Sequence, residues 1–153
     1  MMQEAKILLV EDNRMDVELT LDAFREAHFG NPIHVCSDGE EALNYLLGNG
    51  HFSDRTQYPL PDLILLDLNL PKINGHEVLK EIKARPFLKR IPVVVLTSSK
   101  DEADRARSYD SGVNSYLVKP VSFEGFLQVI KEVSEYWLVL NVAPPDAEIF
   151  PPG

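Results

Sequence analysis

Pro61-Asp62-Leu63-Ile64-Leu65-Leu66-Asp67-Leu68-Asn69-Leu70-Pro71 runs four apolar residues, Leu63 to Leu66, straight into a carboxylate. A short continuous apolar run bounded by prolines reads as a strand buried on both faces. The carboxylate at its end is costly to remove from water unless a cation or hydrogen bonds compensate. Asp67 is therefore either a turn or cap residue of ordinary kind or a reactive carboxylate at the carboxyl edge of a sheet. The rest of the chain decides between them.

Three further segments repeat the pattern. Lys6-Ile7-Leu8-Leu9-Val10 ends in Glu11 and Asp12, Pro92-Val93-Val94-Val95-Leu96 ends in Thr97 and Ser98, and Ser115 to Val118 ends in Lys119-Pro120. Ile33 to Cys36 is a shorter strand. Helical patterns lie between them. Val17, Leu21 and Phe24 share one face of the first, closed by Gly30 and Pro32. Ser37-Asp38-Gly39-Glu40 reads as a capping box opening a second helix, which Gly48 closes. Asn74 caps a third, with Val78, Leu79 and Ile82 inward. Ser99-Lys100-Asp101-Glu102 opens a fourth helix, thinly apolar as far as Gly112, and Ser122 caps a last one carrying Phe126, Ile130, Val133 and Trp137. The segment from Gly48 to Pro61 shows no apolar period and reads as a long loop.

Strand and helix alternate five times, which implies an α/β fold with a parallel sheet covered by helices on both faces. Right-handed crossovers and five strands suit a doubly wound, flavodoxin-like (βα)5 sheet of order 2-1-3-4-5. The expected organisation is one domain over residues 1–140, followed by a Pro-rich tail over 141–153 and no output domain.

The bulk composition narrows the function. The chain has 153 residues, 44% hydrophobic and 25% charged, and a formal net charge of −9. Such acidity opposes nucleic acid and anionic membrane surfaces as partners. No apolar run approaches the roughly 20 residues of a membrane span, and the first residues lack an apolar signal core, so a cytoplasmic location is expected. The single cysteine, Cys36, permits no intrachain disulfide and reads as a small core residue.

In the expected sheet the crevice lies at the carboxyl ends of strands one and three, where the winding reverses. Glu11, Asp12 and Asp67 gather there, with Thr97 from strand four and Lys119 from strand five. Three close carboxylates repel one another. Lys119 offsets one charge, and a hard divalent ion such as Mg2+ suits the remaining oxygens. The four histidines, His28, His34, His51 and His76, show no ligand spacing. A carboxylate beside a metal, a lysine and a hydroxyl can attack a phosphoryl group. No phosphate-binding glycine loop is present, so a nucleotide is not the expected ligand.

Val10-Glu11-Asp12-Asn13, Leu65-Leu66-Asp67-Leu68-Asn69-Leu70-Pro71 with Gly75, Val95-Leu96-Thr97-Ser98 and Tyr116-Leu117-Val118-Lys119-Pro120 together resemble the receiver domain of two-component response regulators. The likeness spans roughly residues 5 to 137, and all motifs in this order are far more specific than any one alone. The resemblance implies Asp67 as phospho-acceptor, and Mg2+ held by Glu11, Asp12, Asp67 and the Asn69 main-chain carbonyl. It implies Thr97 and Tyr116 as the switch pair, Lys119 as the phosphoryl-binding lysine, and a cis peptide at Lys119-Pro120. Asn69 and Ser99 would flank the attacking water and set the phosphate's lifetime. The Gly48–Pro61 segment, the Leu-Asn-Leu-Pro-Lys after Asp67 and the Tyr136-Trp137 ending further resemble stand-alone regulators of bacterial phytochromes.

The expected function is thus a signalling protein, not an enzyme beyond Mg2+-dependent self-phosphorylation, that receives its phosphoryl group from a sensor histidine kinase. An aspartyl phosphatase of the haloacid dehalogenase type would need a second Asp where this chain has Asn69, and a phosphate-independent pseudo-receiver would not need Asp67, Asp12 and Lys119 intact. Phosphorylation is expected to draw in Thr97, turn Tyr116 inward and shift the thinly packed helix Lys100–Ser111. Tyr136 to Val142 is apolar nearly all round, so a homodimer through the last helix and tail is expected, with Tyr116, Tyr136, Trp137 and Leu138 at the contact.

Overall fold

The computed structural model describes residues 6–26, 31–97, 112–113, 115–119 and 124. In chain order these form β1 (Ile7–Val10), α1 (Arg14–Glu26), β2 (Ile33–Cys36), α2 (Gly39–Leu47), a 3-10 turn (Gly50–Ser53), β3 (Leu63–Asp67), α3 (Gly75–Ala84), β4 (Val93–Thr97) and β5 (Ser115–Val118). All strand pairings are parallel and the order is β2-β1-β3-β4-β5, as the alternation of elements implies.

Side-chain parity divides the core into two layers. Leu8, Val10, Ile64, Leu66, Val93 and Val95 join Ala42, Leu46, Val78, Leu79 and Ile82 beneath α2 and α3. Ile7, Leu9, Leu63, Leu65, Val94 and Leu96 join Ala23 and Phe24 beneath α1, with Val17 and Leu117 against them. Successive strand residues alternate between faces, so continuous apolar runs serve both layers at once. The same parity carries on past the strand ends. Asp67 continues the 63, 65 series, Glu11 the 7, 9 series, and Lys119 the residue beyond Leu117. All three therefore leave the sheet on the α1 side.

Register aligns the strand ends. Val10 pairs with Leu66, Asp67 with Leu96, and Thr97 with Val118. Cys36 is buried, and burial pushes its thiol far above the usual cysteine range, consistent with a core residue.

One local expectation needs correction. The cap of α2 lies one residue later than the Ser37–Glu40 box. Asp38 is the N-cap, its Oδ1 accepting from the Glu41 N–H at 2.7 Å, and the Glu41 carboxylate accepts from the Ser37 N–H at 2.7 Å. A carboxylate is the stronger acceptor for exposed helix N–H groups, so Asp38 takes the position. The stretch between Gly48 and Pro61 is a long loop, as its sequence reads, and it is held as an ordered flap by specific contacts. Phe52 is 3% exposed and packs with Tyr45 and Tyr58. Arg55 donates to the Tyr45 and Leu46 carbonyls at the end of α2, at 2.7 and 2.8 Å, and to the Tyr58 carbonyl at 3.1 Å. Gly48 ends α2 at φ +70, the left-handed geometry that glycine adopts without strain.

Candidate phosphoryl-acceptor site

The carboxyl ends of β1 and β3 lie side by side because those strands pair directly. Glu11 follows β1, and Asp67 is the last residue of β3. One carboxylate oxygen from each of Glu11, Asp12 and Asp67 lies within 4.8 Å of the others. Glu11 is 1% exposed and Asp67 3%, whereas Asp12 opens to solvent.

Lys119 enters this cluster from the end of β5. Its Nζ lies 2.7 Å from Glu11 Oε1, 2.8 Å from Asp16 Oδ2 and 3.4 Å from Asp67 Oδ2. The opposite side of each acid is held by main chain. Glu11 Oε2 accepts from the Asn13 N–H at 3.1 Å, and Asp67 Oδ1 accepts from the Asn69 N–H at 3.2 Å. These bonds leave Asp67 with one oxygen tied to its own loop and the other facing the ammonium.

Electrostatics follow from burial. Desolvation pushes the Glu11 carboxyl up, against the hydrogen bonds from Lys119 and the Asn13 N–H that favour its charged form. Burial alone would lower the Lys119 ammonium. Its bonds to Asp16 and Glu11 and the charge of Asp67 outweigh that effect and hold it well above the usual lysine range. Lys119 is therefore a fixed positive charge. Four carboxylates and one ammonium still leave an excess of negative charge, carried by hard oxygens with no histidine or cysteine among the three grouped acids. That donor set fits a hard divalent cation and not a soft one.

The loop after Asp67 is positioned by a close approach. A Cβ on Gly75 would lie 2.3 Å from the Asp67 carbonyl oxygen and 2.5 Å from the Leu68 Cα. The Gly75 N–H donates to the Leu68 carbonyl at 2.9 Å. α3 thus begins directly against Asp67, and only a residue without a side chain fits there. Asn74 caps α3, accepting from the Glu77 N–H at 3.0 Å.

A model of the response regulator receiver domain matches residues 7–131. The chain belongs to that family. It is a response regulator receiver domain, and its relatives include phytochrome regulators. It is 46% identical over 144 residues to the probable methanogenesis regulatory protein FilR2 of Methanothrix harundinacea, covering 92% of this chain and 88% of that one. It is 42% identical over 138 residues to the response regulator Rcp1 of Synechocystis sp., covering 90% and 92%. The crystal structure of Rcp1 in its Mn2+-bound form superposes with a TM-score of 0.73 at 41% identity, covering 88% and 94%. That of the phosphorylated cyanobacterial phytochrome response regulator RcpA superposes with a TM-score of 0.75 at 45% identity, covering 89% and 95%.

Glu11, Asp12, Asp67 and Lys119 come together as the strand ends imply, and Asn69 is joined to Asp67 through its main chain. Thr97 ends β4 beside Val118. The side chains of Thr97 and Tyr116, and all of Ser99, Pro120, Tyr136, Trp137 and Leu138, lie outside the described residues, as do the helix Lys100–Ser111 and the tail. Asp16 is the site residue that sequence reasoning misses. A signal for it exists: α1 starts where β1 ends, so the first turn of α1 must overhang the crevice.

Proposed function

We propose that the chain receives a phosphoryl group on Asp67 from the phosphohistidine of a sensor kinase, with a divalent ion, Mg2+, required. The observation that carries this reading is the Lys119 ammonium, 9% exposed, set among the Glu11, Asp16 and Asp67 carboxylates at the end of the central strand. In the transfer, the phosphorus–nitrogen bond of the donor histidine breaks as the bond from phosphorus to an Asp67 carboxylate oxygen forms. Asp67 attacks as a carboxylate and needs no base. The Asn69 N–H holds Oδ1, and Lys119 neutralises oxygens of the arriving group. Glu11, Asp12, Asp67 and the Asn69 main-chain carbonyl would hold the ion. Bound there, it supplies a Lewis acid that offsets charge on the transferring phosphoryl oxygens.

The remaining assignments extend this reading. Thr97 and Tyr116 respond to the new phosphoryl group, Asn69 and Ser99 govern its loss, and Lys119-Pro120 forms a cis peptide. Residues 1–140 form the receiver and 141–153 a tail. The protein acts in the cytoplasm, through protein contacts and without nucleic acid. Two copies pair through the last helix and tail at Tyr116, Tyr136, Trp137 and Leu138, a reading supported by the apolar run from Tyr136 to Val142. The phytochrome relatives support a phytochrome-like kinase as the donor. Phosphotransfer from a panel of radiolabelled histidine kinases tests the function. Rapid labelling by a phytochrome kinase, absent in Asp67→Asn, is expected; equal labelling of Asp67→Asn would overturn the assignment.

A further inference from the structure

Lys119 does not lie closest to Asp67. An ammonium has three N–H donors. Two meet Glu11 and Asp16 at 2.7 and 2.8 Å, and the third reaches Asp67 only at 3.4 Å. Asp16 is firmly held where it can compete for that ammonium. Its N–H donates to Asn13 Oδ1 at 3.0 Å, and its carbonyl accepts from Thr20 Oγ1 at 2.9 Å. Asn13 in turn gives its own N–H to Glu11 Oε2. Glu11 and Asp16 are thus linked through Asn13 and grip Lys119 together from the β1–α1 turn. The Asp16 side chain is 26% exposed and that of Lys119 9%, so the pair is shielded more than a surface ion pair.

We propose that Asp16 is a positioning residue that anchors the Lys119 ammonium on the α1 side of the crevice and must give it up when Asp67 is phosphorylated. This rests on the phosphoryl-acceptor reading above. A phosphorylated Asp67 presents oxygens of higher charge than the carboxylate it replaces, and the ammonium moves toward them. Every hydrogen bond Lys119 makes to Asp16 opposes that move. Asp16 therefore sets the resting preference of the site against the phosphorylated state, and it does so through Lys119 without touching the phosphoryl group. Asp16→Asn preserves the size of the side chain and its main-chain bonds while removing its charge.

Two readouts test the proposal. In chain labelled with 15N-lysine, the Lys119 ammonium signal, identified by its loss in Lys119→Arg, reports the anchor with no phosphoryl group present. It should shift or broaden in Asp16→Asn and stay near its parent position in Asp16→Glu. Titration with beryllofluoride and Mg2+, a mimic that adds to the Asp67 carboxylate, reports the release. Asp16→Asn should bind it about three- to fivefold more tightly, the scale of a partly exposed ion pair, and Asp16→Glu should match the parent. An unmoved Lys119 signal in Asp16→Asn overturns the anchor. Unchanged or weaker beryllofluoride binding in that variant overturns the release. If the parent chain takes no beryllofluoride, the phosphoryl-acceptor reading and the release fall together, while the Lys119 signal still decides the anchor.

Discussion

The two ends of the sheet solve opposite problems. At the carboxyl end, Glu11, Asp16 and Asp67 surround one ammonium, and two of those three acids are almost wholly buried. At the amino end of β2, the flap between Gly48 and Pro61 closes over α2 with uncharged rings and one arginine. His34, Tyr45, Phe52 and Tyr58 contact one another there, and the Tyr45 hydroxyl donates to the Pro59 carbonyl at 2.8 Å. Arg55 donates to the Leu46 carbonyl at the helix end and shares the Tyr45 carbonyl with the Gly48 N–H. The carboxyl end concentrates negative charge that a divalent cation would relieve. At the amino end the Arg55 guanidinium and the Tyr45 hydroxyl meet main-chain carbonyls and Phe52 is buried. The two edges use different side chains, so a change at the flap should leave the carboxyl end intact.

The largest expected effect is at the flap. Phe52→Ala removes a ring at 3% exposure from the aromatic cluster and should cost ~3 kcal/mol in urea unfolding. Phosphoryl uptake per folded molecule should be unchanged; a loss of uptake in the folded fraction would undo the separation of the two ends. Gly75→Ala acts at the other edge and should affect both stability and labelling. Alanine gains about 1 kcal/mol in helix propensity, but its Cβ would lie 2.3 Å from the Asp67 carbonyl oxygen. The clash dominates, with a net cost of about 1–2 kcal/mol and a marked loss of acetyl phosphate labelling. A stabilised variant with parent labelling would show that the loop after Asp67 is not held by this approach.

The order of elements is legible in the sequence because β1, β3 and β4 are unbroken apolar runs leading into a polar residue and helical patterns separate the strands. Parallel pairing then brings Glu11, Asp67 and Lys119 to one edge without any contact being known. Asp16 is not legible in the same way, because an acid in the first turn of a helix is ordinarily a solvated, dipole-favoured residue. Its part depends on side-chain parity, which sends Lys119 to the α1 side. The contacts of the flap are not legible in sequence because its anchors, Phe52, Arg55 and Tyr58, keep neither a helical nor a strand period. They are ordered by contacts to α2 and β2 that no local window contains.

Arg55→Met probes the flap at smaller scale. It keeps much of the stem and removes the three bonds to carbonyls, so unfolding should become easier by about 1 kcal/mol. Equal stability would mean that water serves the α2 terminus as well as the guanidinium does. The smallest effect is the pH response of His34, whose imidazole burial pushes below its ordinary range. The charged form is disfavoured in the fold, so the unfolded chain binds more protons between the two pKa values. The contribution is complete above the unfolded value of about 6.5 and is lost as pH falls through the folded value. Urea curves between pH 7 and pH 5 should lose stability faster for the parent than for His34→Gln. Parallel curves would remove His34 from the flap's acid response.

Whether Asp67 is the acceptor is decided by mapping the phosphorylated residue. The chain is incubated with acetyl phosphate and Mg2+, then reduced with borohydride, which converts an aspartyl phosphate to homoserine, and its peptides are sequenced by mass spectrometry. The expected result is homoserine at position 67 alone, absent in EDTA and absent in Asp67→Asn. Conversion at another residue, or at position 67 with undiminished yield in EDTA, would contradict the assignment of Asp67 as a metal-dependent phosphoryl acceptor.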